Sequence, residues 1–176
     1  MDADTRADEG TIEVLVEIPV GSRNKYEYDE KRGRMRLDRV LYASVHYPTD
    51  YGFMLDTLAP DGDPLDVLVL SEEPVFPGCL VEARPIGVMR MRDMGEEDDK
   101  IVAVEVSDPR MGDVHALSDV SPHRLAEIEN FFNTYKDLEG KQTEVIGWKG
   151  PDDARRIIAQ CRKAYQEADD IQGPPD

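Results

Sequence analysis

The hydrophobic period of this chain changes once, and that change limits the fold more than any single residue does. Thr11–Pro19 alternates, with β-branched Ile12, Val14, Val16 and Ile18 on one side, as a half-buried strand requires. Lys25–Asp29 and Arg34–Leu37 predict short strands around a turn at Lys31-Arg32-Gly33. Asp66–Leu70 is a compact apolar strand, and Lys100–Val106 alternates again. Cys79–Met91 is longer, and Pro85 and Gly87 inside it predict a bend or bulge. Beyond Ser121 the period becomes helical. Pro122–Asp137 spaces Leu125, Ile128, Phe131, Phe132 and Tyr135 along one face, with Ser121 as the expected N-cap and Pro122 in the first turn. Pro151–Ala168 aligns Ala154, Ile157, Ile158, Cys161 and Tyr165, and Asp152 and Asp153 suit its N-terminal dipole. The pattern predicts one α+β domain over residues 11–168, a small closed β-barrel with two flanking α-helices, between polar tails at 1–10 and 169–176.

Composition removes several classes of function. Lys and Arg total 21 against 38 Asp and Glu, a formal net charge of -17. Such a surface repels a polyanion, so no nucleic-acid partner is expected. The excess reads as a solubilising surface of the kind suited to high internal salt, and tolerance of molar salt is expected. A second reading is that some acids gather divalent cations, and the two are compatible. No apolar run approaches the ~20 residues of a membrane helix. The N-terminus, Met1-Asp2-Ala3-Asp4-Thr5-Arg6, is acidic where a secretory leader is basic, so no membrane and a cytoplasmic location are expected. Cys79 and Cys161 form no CxxC pair, and His46, His115 and His123 have no zinc spacing. There is no GxSxG elbow, and Gly140-Lys141 lacks the rest of a phosphate loop.

The chemistry concentrates in Asp61-Gly62-Asp63-Pro64-Leu65-Asp66, which runs straight into the strand Val67–Leu70. Three carboxylates this close repel one another unless cations lie between them. Gly62 permits a tight turn and Pro64 fixes a torsion, so the loop is rigid. Its oxygens are hard donors suited to Mg²⁺, Mn²⁺ or Ca²⁺. An acidic turn open to water is the other reading of the same composition. An EF-hand fits poorly, because Asp66 stands where that loop needs glycine. A second acidic run, Asp93 and Glu96 to Asp99, reads as a solvated loop between two strands that could complete a metal site begun at Asp61 and Asp66. Cations and phenols are set apart from these acids. Lys25, Glu27 and Asp29 share one strand face, Asp38-Arg39 follows another strand, Tyr47 to Gly52 is aromatic and turn-rich, and Tyr135-Lys136-Asp137 closes the first helix.

Taken in order, these segments resemble the soluble family I inorganic pyrophosphatases of bacterial type. Asp61 to Val69 resembles the family's signature. Glu17-Ile18-Pro19, Asn24 to Glu27, Asp38-Arg39, Tyr47-Pro48 through Tyr51-Gly52, Asp93 to Lys100 and Phe131 to Leu138 match it in sequence order, over about residues 11 to 165. The resemblance implies a distorted, OB-like barrel of about five strands and metal-dependent hydrolysis of pyrophosphate. It implies that Asp61, Asp66 and Asp98 bind a first metal, that Asp66 bridges to a second, and that Asp93 and Asp98 hold a further one. Glu17 and Glu27 would act through metal-bound water. Lys25, Arg39, Tyr51, Lys100, Tyr135 and Lys136 would contact pyrophosphate. Asp63 would orient or deprotonate the attacking water, with Asp98 the alternative acceptor. Several Mg²⁺ ions per site are implied, with Mn²⁺ or Zn²⁺ as substitutes, in a homohexamer. Asn130 and Thr134 depart from the histidines that many bacterial members carry near subunit contacts. Two other classes use parts of the same pattern. A Ca²⁺ module would leave Lys25, Arg39 and Lys136 without a role, and an inactive scaffold would have lost an acid that is present here.

Overall fold

The computed structural model describes residues 10–172. Strand β1 (Ile12–Ile18) is followed by a hairpin of β2 (Asn24–Asp29) and β3 (Arg34–Val40). Then come β4 (Asp50–Met54), β5 (Asp66–Leu70), β6 (Leu80–Asp93), β7 (Glu96–Glu97) and β8 (Lys100–Glu105). Helix α1 (Pro122–Thr134), strand β9 (Thr143–Lys149) and helix α2 (Pro151–Gln172) complete the chain. The pairings run β1-β4-β5-β8-β6, and β6 pairs back onto β1. Five strands therefore close into a ring, the barrel that the alternating pattern predicts. β9 is added on β6, while β2 and β3 form a separate two-stranded sheet. Among the described residues only β5 and β8 pair in parallel, because the long β6 lies between them in the chain.

Two apolar clusters follow from the alternation. One takes Ile12, Val14 and Val16, Met54, Val67 and Val69, Val81, Ala83 and Val88, and Ile101 and Ala103. It thus draws on every strand of the ring, as an interior must, and Ala154, Ile158 and Cys161 of α2 close it. The other uses the alternate side chains, including Leu68, Leu70, Met89, Met91, Val102 and Val104, and receives Ile128, Phe131 and Phe132 of α1. The sheet is thus buried on both faces over β5 and β8, while Glu13 of β1 and Glu82 of β6 face solvent; a one-residue slip there would turn these acids inward, which fixes the register.

The predicted distortion of β6 is present as a register shift between Pro85 and Gly87. Several expectations need correction. The second helix does not stop at Ala168 but continues to Gln172, so residues 169–172 are helical rather than tail. Residues 1–9 and 173–176 of the expected tails lie outside the described residues. Helix α1 ends at Thr134, three residues short of Asp137, and the Ser121 side chain makes no capping hydrogen bond. The acidic run after β6 is not an open loop: Met94 and Gly95 take left-handed backbone conformations (φ 52° and 83°) that turn β6 into β7 as a tight hairpin. β4 and β9 were not predicted.

Glycine at position 52 is a packing requirement. A Cβ there would lie 2.1 Å from the Leu15 carbonyl oxygen on β1, where only main chain could yield. Gly52→Ala is therefore expected to destabilise the protein by about 3 kcal/mol in urea unfolding, through overpacking between β4 and β1. An unchanged midpoint would mean that the strands can separate without cost.

Candidate active site

The closed ring delivers side chains from many parts of the sequence to one cleft of about 710 Å³. Glu17 comes from the end of β1, and Lys25 and Glu27 from the two-stranded flap. Tyr51 comes from β4, and Asp61, Asp63 and Asp66 from the loop into β5. Asp93 and Asp98 come from the two ends of the β6–β7 hairpin, and Tyr135 and Lys136 from the end of α1. Of the residues to which the resemblance gives a role, Arg39 and Lys100 do not line the cleft, and neither do Asp38, Tyr47, Glu96, Glu97, Asp99 and Asp137 of the segments around them. Asp29, Glu30 and Lys31 of the flap do line it, which makes nine carboxylates facing three lysines.

Lys100 lies beneath the cleft and is 1% exposed. Its ammonium donates to Asp66 Oδ2 at 2.8 Å and to the Tyr51 hydroxyl at 3.1 Å, and stands 3.1 Å from Asp98 Oδ2. Burial acts to discharge this lysine, but the two aspartates outweigh it and raise its pKa. The charge is therefore permanent, and it joins β8 to the start of β5 and to the acidic hairpin. Burial likewise pushes the Asp98 carboxyl up, with Lys100 pulling it back and Asp66 adding repulsion. Asp63 is raised by burial and then by Asp61 and Asp66. The loop that carries them is tied internally: Asp63 N donates to Asp61 Oδ1 at 3.0 Å, and Ala59 N to the Asp63 carbonyl at 2.8 Å.

On the opposite wall Lys25 pairs with Glu27 at 2.6 Å and lies 3.5 Å from Asp38. Asp38 also binds Arg39 at 2.5 Å. Burial would raise the Asp38 carboxyl, but the Arg39 hydrogen bond and the Lys25 charge hold it below its ordinary range. Arg39 is gripped from its other side by Glu139, with Nε 2.9 Å from Oε1 and Nη2 donating to Oε2 at 3.3 Å. Glu139 was not among the candidates. Its only signal was its place directly before Gly140, whose left-handed conformation (φ 68°) ends the turn that follows α1. Lys136 forms an ion pair with Asp93. Tyr47, Tyr51, Phe131, Phe132 and Tyr135 pack with ring centroids 4.8–6.3 Å apart, which joins the end of α1 to β4.

Among the described residues no three carboxylate, histidine or cysteine side chains converge as they stand to hold an ion. The donor set nevertheless fits hard divalent cations. It is all oxygen, it carries more negative charge than its lysines balance, and burial and mutual repulsion raise Glu17, Asp63 and Asp98. Between Asp66 and Asp98 the Lys100 ammonium supplies the positive charge. An acidic cleft edged by lysines and phenols is suited to binding cations together with a small polyanion.

Comparison with known proteins leads to the same place. The family model described as inorganic pyrophosphatase matches residues 14–166. The inorganic pyrophosphatase of Geobacillus stearothermophilus is 50% identical over 156 residues, 89% of this chain and 94% of that one. The inorganic pyrophosphatase of a Nostoc species is 53% identical over 157 residues, 89% and 93% of the two chains. The crystal structure of inorganic pyrophosphatase from Thermus thermophilus superposes with a TM-score of 0.88 at 40% identity, covering 94% of this chain and 97% of that one. The chain belongs to the inorganic pyrophosphatase family.

Glu17 supplies a pH test. Its carboxyl is pushed up to about 7, chiefly by burial, with the Tyr28 amide pulling it down and Asp66 pushing it further up. A carboxyl raised on folding stabilises the folded state below its unfolded pKa, here 4.5, and that contribution is lost as pH rises through about 7. In metal-free protein Glu17→Gln should therefore raise the urea midpoint relative to wild type at about pH 8, and the gap should shrink at about pH 4. An equal gap at both pH values would contradict the assignment.

Proposed function

We propose that this chain hydrolyses inorganic pyrophosphate to two phosphates by in-line attack of a metal-activated water, with Mg²⁺ as the ion and Mn²⁺ or Zn²⁺ as substitutes. The observation that carries the reading is a single cleft in which a carboxylate floor faces lysines from two separate elements, the flap and the end of α1. Asp61, Asp66 and Asp98 would hold a first divalent cation, with Asp66 near a second and Asp93 with Asp98 holding another; bound there, such ions would supply charge neutralisation of phosphate oxygens and a more acidic water. Glu17 and Glu27 steady water at the edge of the set. Lys25 and Lys136 face the substrate as point charges, and Arg39, which Asp38 and Glu139 hold beside the cleft rather than in its lining, would turn a planar two-oxygen grip onto it. The phenols of Tyr51 and Tyr135 donate hydrogen bonds, and burial raises both so that they keep their protons. Lys100 acts from below, stabilising the leaving charge and keeping Asp66 and Asp98 in register.

Asp63 accepts the water's proton. It lies between two acids of the cation set, its own carboxylate makes no ion pair among the described residues, and neutralised neighbours would let its raised pKa fall back. Glu139 restrains the Arg39 guanidinium through Nε and Nη2. Among the described residues no helix is long and apolar enough to cross a membrane. A cytoplasmic location and a homohexamer complete the proposal. Exposed Leu37, Val40, Tyr42, Phe76 and Leu80 support subunit contacts.

Phosphate release from pyrophosphate with Mg²⁺, and its loss with excess chelator, tests the reading. No release with Mg²⁺, Mn²⁺ or Zn²⁺ from folded protein would defeat it. Over a pH series at saturating Mg²⁺, Asp63→Asn should lose turnover by about a hundredfold or more, the usual worth of a general base. Near-normal turnover with an unchanged profile would pass the role to Asp98. Glu139→Gln should raise KM with a smaller effect on kcat. Light scattering behind a sizing column should give six copies, and a single 19.9 kDa species would refute the hexamer.

A further inference from the structure

The loop that carries Asp61, Asp63 and Asp66 leaves and rejoins the ring between β4 and β5, and its neck is built unusually. The β4–β5 ladder runs in regular register through Asp50↔Val69, Tyr51↔Leu68, Gly52↔Val67 and Phe53↔Asp66. The next pair is Met54 and Leu65. In an antiparallel sheet such a pair exchanges both of its N–H···O bonds. Here only one is direct, from Met54 N to the Leu65 carbonyl at 3.0 Å. In place of the other stands the Thr57 hydroxyl. It accepts from Leu65 N at 2.9 Å and donates to the Met54 carbonyl at 2.7 Å. Thr57 is 3% exposed, so water does not compete for either bond. To bring that side chain back into the neck, Asp56 adopts a left-handed backbone (φ 55°), unusual for a residue other than glycine. The loop beyond is fastened to α2 by Leu58 N donating to the Cys161 carbonyl at 3.0 Å.

We infer that Thr57 is a positioning residue for the cation-gathering loop: its hydroxyl, inserted into the last β4–β5 rung, holds the neck one bridging atom wider than a closed ladder, so that Asp61 and Asp63 face the same cleft as Asp66. The inference rests on the pyrophosphatase reading of that loop. The two backbone groups served by Thr57 are each other's natural partners. Without the hydroxyl they close directly, the ladder gains a rung, and the acidic turn swings relative to Asp66. Loss of the hydroxyl thus costs little stability and falls on cation binding. A residue needed only for packing would show the reverse.

The test compares Thr57→Ala, Thr57→Val and Thr57→Ser with wild type. Metal-free protein is titrated with Mn²⁺ by EPR and with Mg²⁺ by calorimetry, alongside thermal unfolding and the Mg²⁺ dependence of phosphate release. Thr57→Ala is expected to weaken Mn²⁺ binding about tenfold through displacement of Asp61 and Asp63 from Asp66, and to raise the Mg²⁺ needed for half-maximal rate by a similar factor. Thr57→Ser keeps the hydroxyl and should match wild type. Thr57→Val keeps the volume of the side chain, so it carries the test if the alanine variant does not fold. Wild-type cation affinity in either folded variant lacking the hydroxyl would overturn the inference. So would a serine variant that loses as much as alanine, since that assigns the role to the methyl group. Wild-type protein that neither binds Mn²⁺ nor releases phosphate would instead defeat the underlying reading.

Discussion

The buried ammonium of Lys100 is the interaction on which the rest of the site depends. Two aspartates from different parts of the ring, Asp66 at the start of β5 and Asp98 beyond the β6–β7 hairpin, approach the same point. Their mutual repulsion would force the hairpin away from β5 if no cation lay between them. A lysine on β8, the strand parallel to β5, places a charge there that cannot diffuse away. A buried ion pair is poor evidence for stability, because desolvation offsets much of its attraction. Its value here lies in location, since it fixes where the acids stand before any divalent ion or substrate arrives.

The remaining charges follow the same logic at longer range. The flap's Lys25 and Arg39 share Asp38, and Glu139 holds Arg39 from behind. Each of these cations is therefore oriented by a neighbouring acid rather than left to solvent. Helix α1 contributes through packing. Its Phe131 and Phe132 anchor in the outer core, and the chain leaves the helix with Tyr135 and Lys136 at the cleft. The barrel interior and α2 carry none of the proposed substrate groups. They hold the acidic loop by its neck and by the Leu58–Cys161 bond.

Much of this was legible in the sequence because it rests on period and on carboxylate spacing. The alternation of Ile12, Val14, Val16 and Ile18 places β1, and Pro85 and Gly87 place the break in β6. β4 was hidden because Asp50, Gly52 and the preceding Pro48 and Thr49 have turn chemistry. It is extended because β1 and β5 flank it, and Gly52 is there for close approach rather than for a turn. β9 was hidden for another reason: polar residues and Gly147 weaken its pattern, and among the described residues it pairs only with β6. The cleft's aspartates and lysines stood out as residue types in charged and turn-rich segments, and their roles, with Glu17, came from the family resemblance. Glu139 and Thr57 did not stand out, since their partners lie on separately folded segments or in backbone groups that no spacing reveals.

Anomalous diffraction from crystals soaked in Mn²⁺ locates the ion and the Lys100 ammonium together. A strong anomalous peak is expected, bounded by Asp61, Asp66 and Asp98, with the Lys100 ammonium still buried beside it. Ordered carboxylates around a cleft with no anomalous peak at saturating Mn²⁺, or Mn²⁺ bound only at surface acids outside it, would contradict the account.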